Sequence, residues 1–200
     1  MTGQSRLAPN PFSTCWIRPD RCEYQFDNPD QLDQIINDLL QAGSGQITGA
    51  HGTGKSTLLA TLLKELVRRG CQVTQVQLHA GERRLAAKVH FQSVPARSWL
   101  AIDGFEQLSR WRRWRLARQC RRRQVQLLVT SHQQHRLGTS VQLAPGLENA
   151  CRLVEQLQRH TRAVVTRQDV AGLFRLHEQN VREILFGCYD LFQQRTRCRK

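Results

Sequence analysis

The chain has 200 residues, 30 of them Lys or Arg and 16 Asp or Glu, for a formal net charge of +14, and 40% are hydrophobic. That length buries a real core and holds one domain, or a domain with a small appendage. The charge points to an acidic partner without naming a fold, and no apolar run approaches the ~20 residues of a membrane span. Seven scattered cysteines without a C-x-x-C pair support neither a zinc site nor a disulfide framework, so reduced thiols and a cytoplasmic location are the expectation.

Residues 1–27 are polar, contain prolines and lack periodicity, which reads as an irregular leader. Its Leu7-Ala8-Pro9-Asn10-Pro11 run is broken by prolines and is no signal-peptide core. Phe12, Trp16, Ile17, Tyr24 and Phe26 give the leader apolar groups with which to wrap onto a domain. Asn28-Pro29-Asp30 reads as a helix cap with Pro at the first helical position, and Leu32, Ile35, Ile36, Leu39 and Leu40 follow at helical spacing. Gly43-Ser44-Gly45 ends that helix and leads into a short strand through Gln46-Ile47-Thr48.

Gly49-Ala50-His51-Gly52-Thr53-Gly54-Lys55-Ser56 then spells G-x-x-x-x-G-K-[ST], the phosphate-binding P-loop, with a helix from Thr57 to Val67 behind it. Backbone N–H groups must point inward at a polyphosphate with no Cβ in the way, and a helix N-terminus adds positive potential. The whole run from Gly49 through Thr57 is therefore the candidate cradle for a polyphosphate. Lys55 is placed to reach the β- and γ-phosphates and Ser56 to ligate Mg²⁺. Arg68-Arg69-Gly70 ends the helix, a second strand runs within Cys71 to Leu78, and Gly81-Glu82-Arg83-Arg84 breaks it before a short amphipathic piece around Leu85 to Val89.

Ser98-Trp99-Leu100-Ala101-Ile102-Asp103 is an apolar run ending in aspartate, the Walker B pattern, which assigns Asp103 to Mg²⁺. Glu106 is either the base that positions an attacking water or a helix-start residue that complements the dipole, and Glu82 is the other acid open to that part. Between residues 110 and 123, eight arginines interleave with Trp111 and Trp114 on one helical face. Three readings stay open there: a surface for nucleic acid, one for another anionic partner, or a solvated helix whose tryptophans pack on the sheet. Val125 to His132 reads as a further buried strand, Thr139 to Leu143 as a fifth, edge-like one, and three helices follow over Leu147–His160, Thr166–Leu176 and Asn180–Gln194.

The stretch from about 28 to 194 resembles the AAA+ class of P-loop ATPases, and more loosely the signal-transduction ATPases. The carriers are Gly49–Ser56 as Walker A, Leu100–Asp103 as Walker B, Thr130 or Ser131 at the place of the γ-phosphate sensor, and Asn180-Val181-Arg182-Glu183-Ile184 as the lid sensor helix. The resemblance implies ATP and Mg²⁺ as ligands, Arg182 as the lid contact to the γ-phosphate, and assembly into a homo-oligomer. Thr130 and Ser131 have a plainer alternative as strand-end caps. Gly104 stands where AAA+ proteins usually carry an acid directly after the Walker B aspartate, and Gln179 replaces the glycine before Asn180. No N-K-x-D and no L-S-G-G-Q run is present.

The expected fold is a three-layer α/β/α P-loop NTPase with a mainly parallel five-stranded sheet and a small C-terminal helical lid. Its expected parts are the leader 1–27, the ATP-binding domain 28–145, the lid 146–194 and a basic tail 195–200. The expected activity is an AAA+-like ATPase with slow or partner-controlled hydrolysis. A non-hydrolysing nucleotide switch, a nucleic-acid-dependent ATPase and a P-loop kinase are the alternatives.

Overall fold

Five strands form one sheet in the computed structural model, which describes residues 10–19, 21–82, 93–161, 163–177 and 180–197. They are β1 (Ser44–Gly49), β2 (Val73–Gln77), β3 (Trp99–Asp103), β4 (Gln126–Ser131) and β5 (Thr139–Leu143). Their order is β2-β3-β4-β1-β5, and every pairing is parallel. β4 thus lies between the P-loop strand β1 and the Walker B strand β3.

Alternation along the central strands decides the layers, because successive side chains leave a strand on opposite faces. Trp99 and Ala101 of β3 and Leu128 of β4 join one core with α1 (Gln31–Ala42) and α2 (Lys55–Arg68). Leu100, Ile102, Leu127 and Val129 join a second core with α3 (Arg110–Arg122). Both faces are covered, so the strands are apolar over Trp99–Ile102 and Leu127–Val129, and β3 is buried at all five positions. Leu58, Leu59, Leu62 and Leu66 of α2 are fully buried, and truncating any one to Ala would cost about 2–5 kcal/mol.

Several boundaries differ from expectation, with β1 beginning at Ser44 and α2 at Lys55. α1 begins at Gln31, because Asn28 closes a turn first: its side-chain oxygen accepts from Asp30 N at 3.0 Å and its carbonyl from Gln31 N at 3.1 Å. Asn28-Pro29-Asp30 is therefore a turn ahead of the helix rather than its first residues.

The last three helices are α4 (Leu147–Leu157), α5 (Arg167–His177) and α6 (Val181–Arg197). They form a separate apolar cluster, completed by Phe12 of the leader, which is fully buried edge-on to Phe192 at 6.2 Å between ring centroids. Asn10 donates to Tyr189 O at 3.1 Å, and Arg152 reaches Asp27 at 2.6 Å. The described part of the leader is thus fastened to the lid. Thr166 and Asp169 form a reciprocal cap, Thr166 N donating to Asp169 Oδ2 at 2.8 Å and Asp169 N to Thr166 Oγ1 at 3.3 Å. The expected piece at Leu85–Val89, with Arg83 and Arg84 before it, lies outside the described residues, as do Gln179, residues 1–9 and residues 198–200.

Candidate functional site

β1 delivers the chain to Gly49 and α2 starts at Lys55, so residues 50–54 form the loop between strand and helix. Gly52 and Gly54 have φ of 73° and 91°, the left-handed region that side chains rarely adopt. A Cβ at Gly49 would stand 2.7 Å from Thr53 Oγ1 and 3.0 Å from Leu143 O, so that position is closed for lack of space instead. Thr53 Oγ1 donates to Ala50 O at 3.0 Å and holds the loop's curvature.

The Lys55 ammonium has three polar neighbours inside the site. It lies 2.9 Å from Gly49 O, 2.6 Å from Ala50 O and 3.2 Å from His132 Nδ1. His132 Nδ1 lies within hydrogen-bond distance of both the Lys55 ammonium and, at 3.1 Å, Gly49 O, while Nε2 faces Glu106 Oε1 at 3.3 Å. Lys55, His132 and Glu106 make one run of polar contacts across the mouth of the loop. The second carboxylate oxygen of Glu106, Oε2, is buried and has no hydrogen-bond partner among the described residues. Burial pushes the Lys55 amine below its ordinary value, with the Glu106 and Asp103 charges opposing. His51 stacks on His132 at 3.8 Å between centroids and is lowered first by that neighbour, then by desolvation and by Lys55.

Asp103, at the end of β3, is buried. Thr130 donates to its Oδ1 at 2.5 Å and accepts from Gly104 N at 2.9 Å. Thr130 thus braces the aspartate, and its hydroxyl is committed to that turn. Ser131 points elsewhere, with Oγ 3.0 Å from His135 Nε2 and accepting from Gln133 N. Glu82 accepts from His79 N at 2.7 Å and closes a turn after β2.

The lid closes on the loop from the other side. A Cβ at Gly52 would collide with the Asn180 side-chain amide and stand 3.3 Å from Arg182 Cβ. Arg182 lowers both Lys55 and His51, which places its charge within electrostatic reach of the loop. Tyr24 of the leader brings its ring 3.6 Å from where a Gly54 Cβ would stand, and its backbone N–H donates to Thr61 Oγ1 at 3.2 Å.

His132 was not among the expected site residues, and Asn180 and Tyr24 entered the sequence reading only as parts of the lid run and the leader, not as neighbours of the loop. The only signal for His132 was a polar residue at the end of a buried strand. Of the three readings left open for α3, the one in which its tryptophans pack on the sheet is excluded. Trp111 and Trp114 are 60% and 58% exposed, because α3 buries only Leu116 and Cys120 and needs no further anchor. Each carries an arginine over its ring, Arg115 at 5.3 Å and Arg118 at 5.5 Å.

Solved structures share this architecture. A DnaA replication initiator bound to AMPPCP and single-stranded DNA superposes with a TM-score of 0.60 at 16% identity, over 91% of this chain and 66% of that one. AMPPCP-bound DnaA from Aquifex aeolicus gives 0.59 at 16%, over 86% and 63%. The Thermotoga maritima RuvB Holliday junction branch migration motor gives 0.59 at 14%, over 84% and 63%. The fold is that of the AAA+ P-loop ATPases. This chain spans about three-fifths to two-thirds of the length of the solved chains it matches. No protein-family model matches the sequence, and no curated protein matches it. Among the described residues, no helix is long and apolar enough to cross a membrane.

Proposed function

We propose that this chain binds ATP with Mg²⁺ between the P-loop and the lid and hydrolyses it slowly, under the control of a partner. The observation that carries the reading is the Lys55–His132–Glu106 run laid across the P-loop beside Asp103. The AMPPCP in the DnaA structures supports an adenine nucleotide as the ligand here.

The site fits the pair. Two left-handed glycines open the loop's N–H groups, and the buried Asp103 and the Ser56 hydroxyl supply hard oxygen donors. Among the described residues no cluster of three His, Cys, Asp or Glu side chains could hold a metal ion. Ser56, Asp103 and the phosphates themselves would therefore hold Mg²⁺. Bound there, Mg²⁺ supplies charge neutralisation at the β- and γ-phosphate oxygens. Lys55 exchanges its loop carbonyls for phosphate oxygens, a charge-assisted bond in place of neutral ones. Glu106 accepts a proton from the attacking water at Oε2 while His132 holds its other oxygen in place. Thr130 acts through Asp103, and Arg182 approaches the γ-phosphate from the lid.

Gly104 motivates slow turnover, since the acid usual at that position is absent and Glu106 substitutes from a 3₁₀ turn, Phe105–Gln107. A non-hydrolysing switch is the second reading, favoured by the same residue. The arginine-rich α3, together with the single-stranded DNA in one DnaA structure, supports an anionic partner, nucleic acid included. Assembly of copies completes the reading, and an ATPase rate that climbs steeply with protein concentration is its signature.

The deciding measurement is ATP affinity of the wild type and of Lys55→Ala. Loss of one charge-assisted bond, about 1.5–3 kcal/mol, is expected to weaken binding about 10- to 100-fold. A wild type that does not bind ATP, or a Lys55→Ala protein that binds it equally well, sinks the reading. Single-turnover hydrolysis by Glu106→Gln separates the enzyme from the switch, with a drop of about 100-fold expected of a base. Hydrolysis undetectable in the wild type leaves the switch.

A further inference from the structure

The Gly104–Gln107 turn serves two places at once: Glu106 faces His132 and the P-loop, while Phe105 lines a second cavity, about 420 Å³, between α3 and residues 135–137. That volume falls within the roughly 300–1,000 Å³ of small-ligand sites. Arg110, Arg113, Arg118 and Arg121 enter it from one side of α3, and Arg136 enters from the loop after β4. No described carboxylate lines it, and none of these five arginines pairs with a described Asp or Glu. Arg113 Nε is buried with no hydrogen-bond partner among the described residues, and Arg113 Nη1 rests 3.2 Å from His135 Nε2, a second basic group. Five like charges gathered without a counter-charge repel one another, and a multivalent anion removes that repulsion.

The wall is also built for a flat ring. Trp114 lines the cavity with its indole more than half exposed and the Arg118 guanidinium over one face. One helical turn earlier, Trp111 and Arg115 repeat the pair outside the cavity. Aromatic faces bind the exposed bases of single strands, worth about 1–3 kcal/mol per stacked base, whereas a duplex hides those faces inside its stack.

We propose that this cavity is a nucleotide subsite separate from the P-loop, in which Arg113, Arg121 and Arg136 take a phosphate and Trp114 stacks a base. The unit comes either as one residue of a single-stranded nucleic acid or as a free nucleoside monophosphate. The inference rests on reading α3 as an anion-binding surface and not on the ATP site, whose own test uses a different ligand and a different residue.

The test is fluorescence anisotropy of a labelled twelve-nucleotide oligothymidylate with the full chain, at about 50 mM salt, where phosphate contacts are strong. Unlabelled thymidine monophosphate and a duplex of equal length serve as competitors. Arg113→Gln and Trp114→Ala are each expected to weaken binding about ten-fold, the size of one charge-assisted bond or one stacked base. Arg122→Gln removes an equal charge outside the cavity and is expected to cost less than about three-fold. Competition by the monophosphate at millimolar concentration identifies a free nucleotide as sufficient, and its failure beside tight strand binding identifies the strand. Should Arg113→Gln lower the melting temperature, Trp114→Ala decides alone, since its side chain lies at the surface. Equal losses from Arg113→Gln, Trp114→Ala and Arg122→Gln, competition by the duplex as strong as by the single strand, or no binding of either ligand overturns the proposal.

Discussion

Restoring the missing acid is the obvious way to speed this site, and the geometry predicts that Gly104→Glu fails. Gly104 has φ of 87°, and a Cβ there would stand 2.5 Å from Leu78 O, a backbone atom. Leu78 cannot retreat freely, because its N–H donates to Asp103 O at 2.8 Å and continues the β2–β3 ladder. Left-handed strain costs about 1–2 kcal/mol, and forcing an atom into occupied space costs about 1–3 kcal/mol more. The total of about 2–5 kcal/mol corresponds to a melting temperature lower by about 5–20 °C for a chain of this size. Gly104→Ala carries the same strain without the carboxylate and separates sterics from chemistry. Thermal unfolding and ATPase rate per folded molecule are the assays. A Gly104→Glu protein that melts within about 2 °C of wild type and hydrolyses ATP faster, while Gly104→Ala stays silent, would refute the account and release Glu106 from its role.

Four further outcomes are expected. His132→Ala frees the Glu106 carboxylate and lowers the single-turnover rate about ten-fold, read as a loss of transition-state stabilisation; an unchanged rate dismisses the run through His132. Gly52→Ala forces a left-handed residue into the Asn180 amide and should both abolish ATP binding and speed proteolysis of the lid, whereas a protected lid would show that the contact is slack. Asp169→Asn breaks a two-pronged pair with Arg195, at 2.6 and 2.7 Å, and is expected to cost the lid about 1 kcal/mol. The Arg195 bonds hold the Asp169 carboxyl well below the usual carboxylate range, so the wild type has this stability at any pH above the unfolded value of about 3.9 and loses it as pH falls toward the folded one; the Asp169→Asn protein should therefore lack that part of the acid-induced loss, and acid titration of the melting temperature checks it. Burial pushes the Cys120 and Cys188 thiols up to about 12, so both should resist alkylation in the folded chain and react in urea, while Cys15 reacts in both.

What the sequence disclosed follows from how locally each feature is determined. The P-loop, β3 and α2 were legible because glycine conformation, two-faced burial and helical spacing act over a few neighbouring residues. The exposure of Trp111 and Trp114 was not, because the helix pattern shows only that the two share a face, and which face turns inward depends on what Leu116 and Cys120 already anchor. His132 was illegible for another reason. Its role exists only because β4 slots between β1 and β3, with Thr48 beside Ser131, which sets the next residue over Gly49 at 3.1 Å. The same strand end then divides its side chains: Thr130 to Asp103, Ser131 to His135, His132 to Lys55. Gln46, buried on the P-loop strand, bonds His135 in both directions, donating to its carbonyl at 2.6 Å and accepting from its N–H at 2.7 Å. In the sequence Gln46 is one polar residue among several in a short strand, with nothing to single it out. In the fold it ties the strand that carries the P-loop to the loop that walls the arginine cavity, so the two places share a hydrogen-bonded partition as well as the Gly104–Gln107 turn.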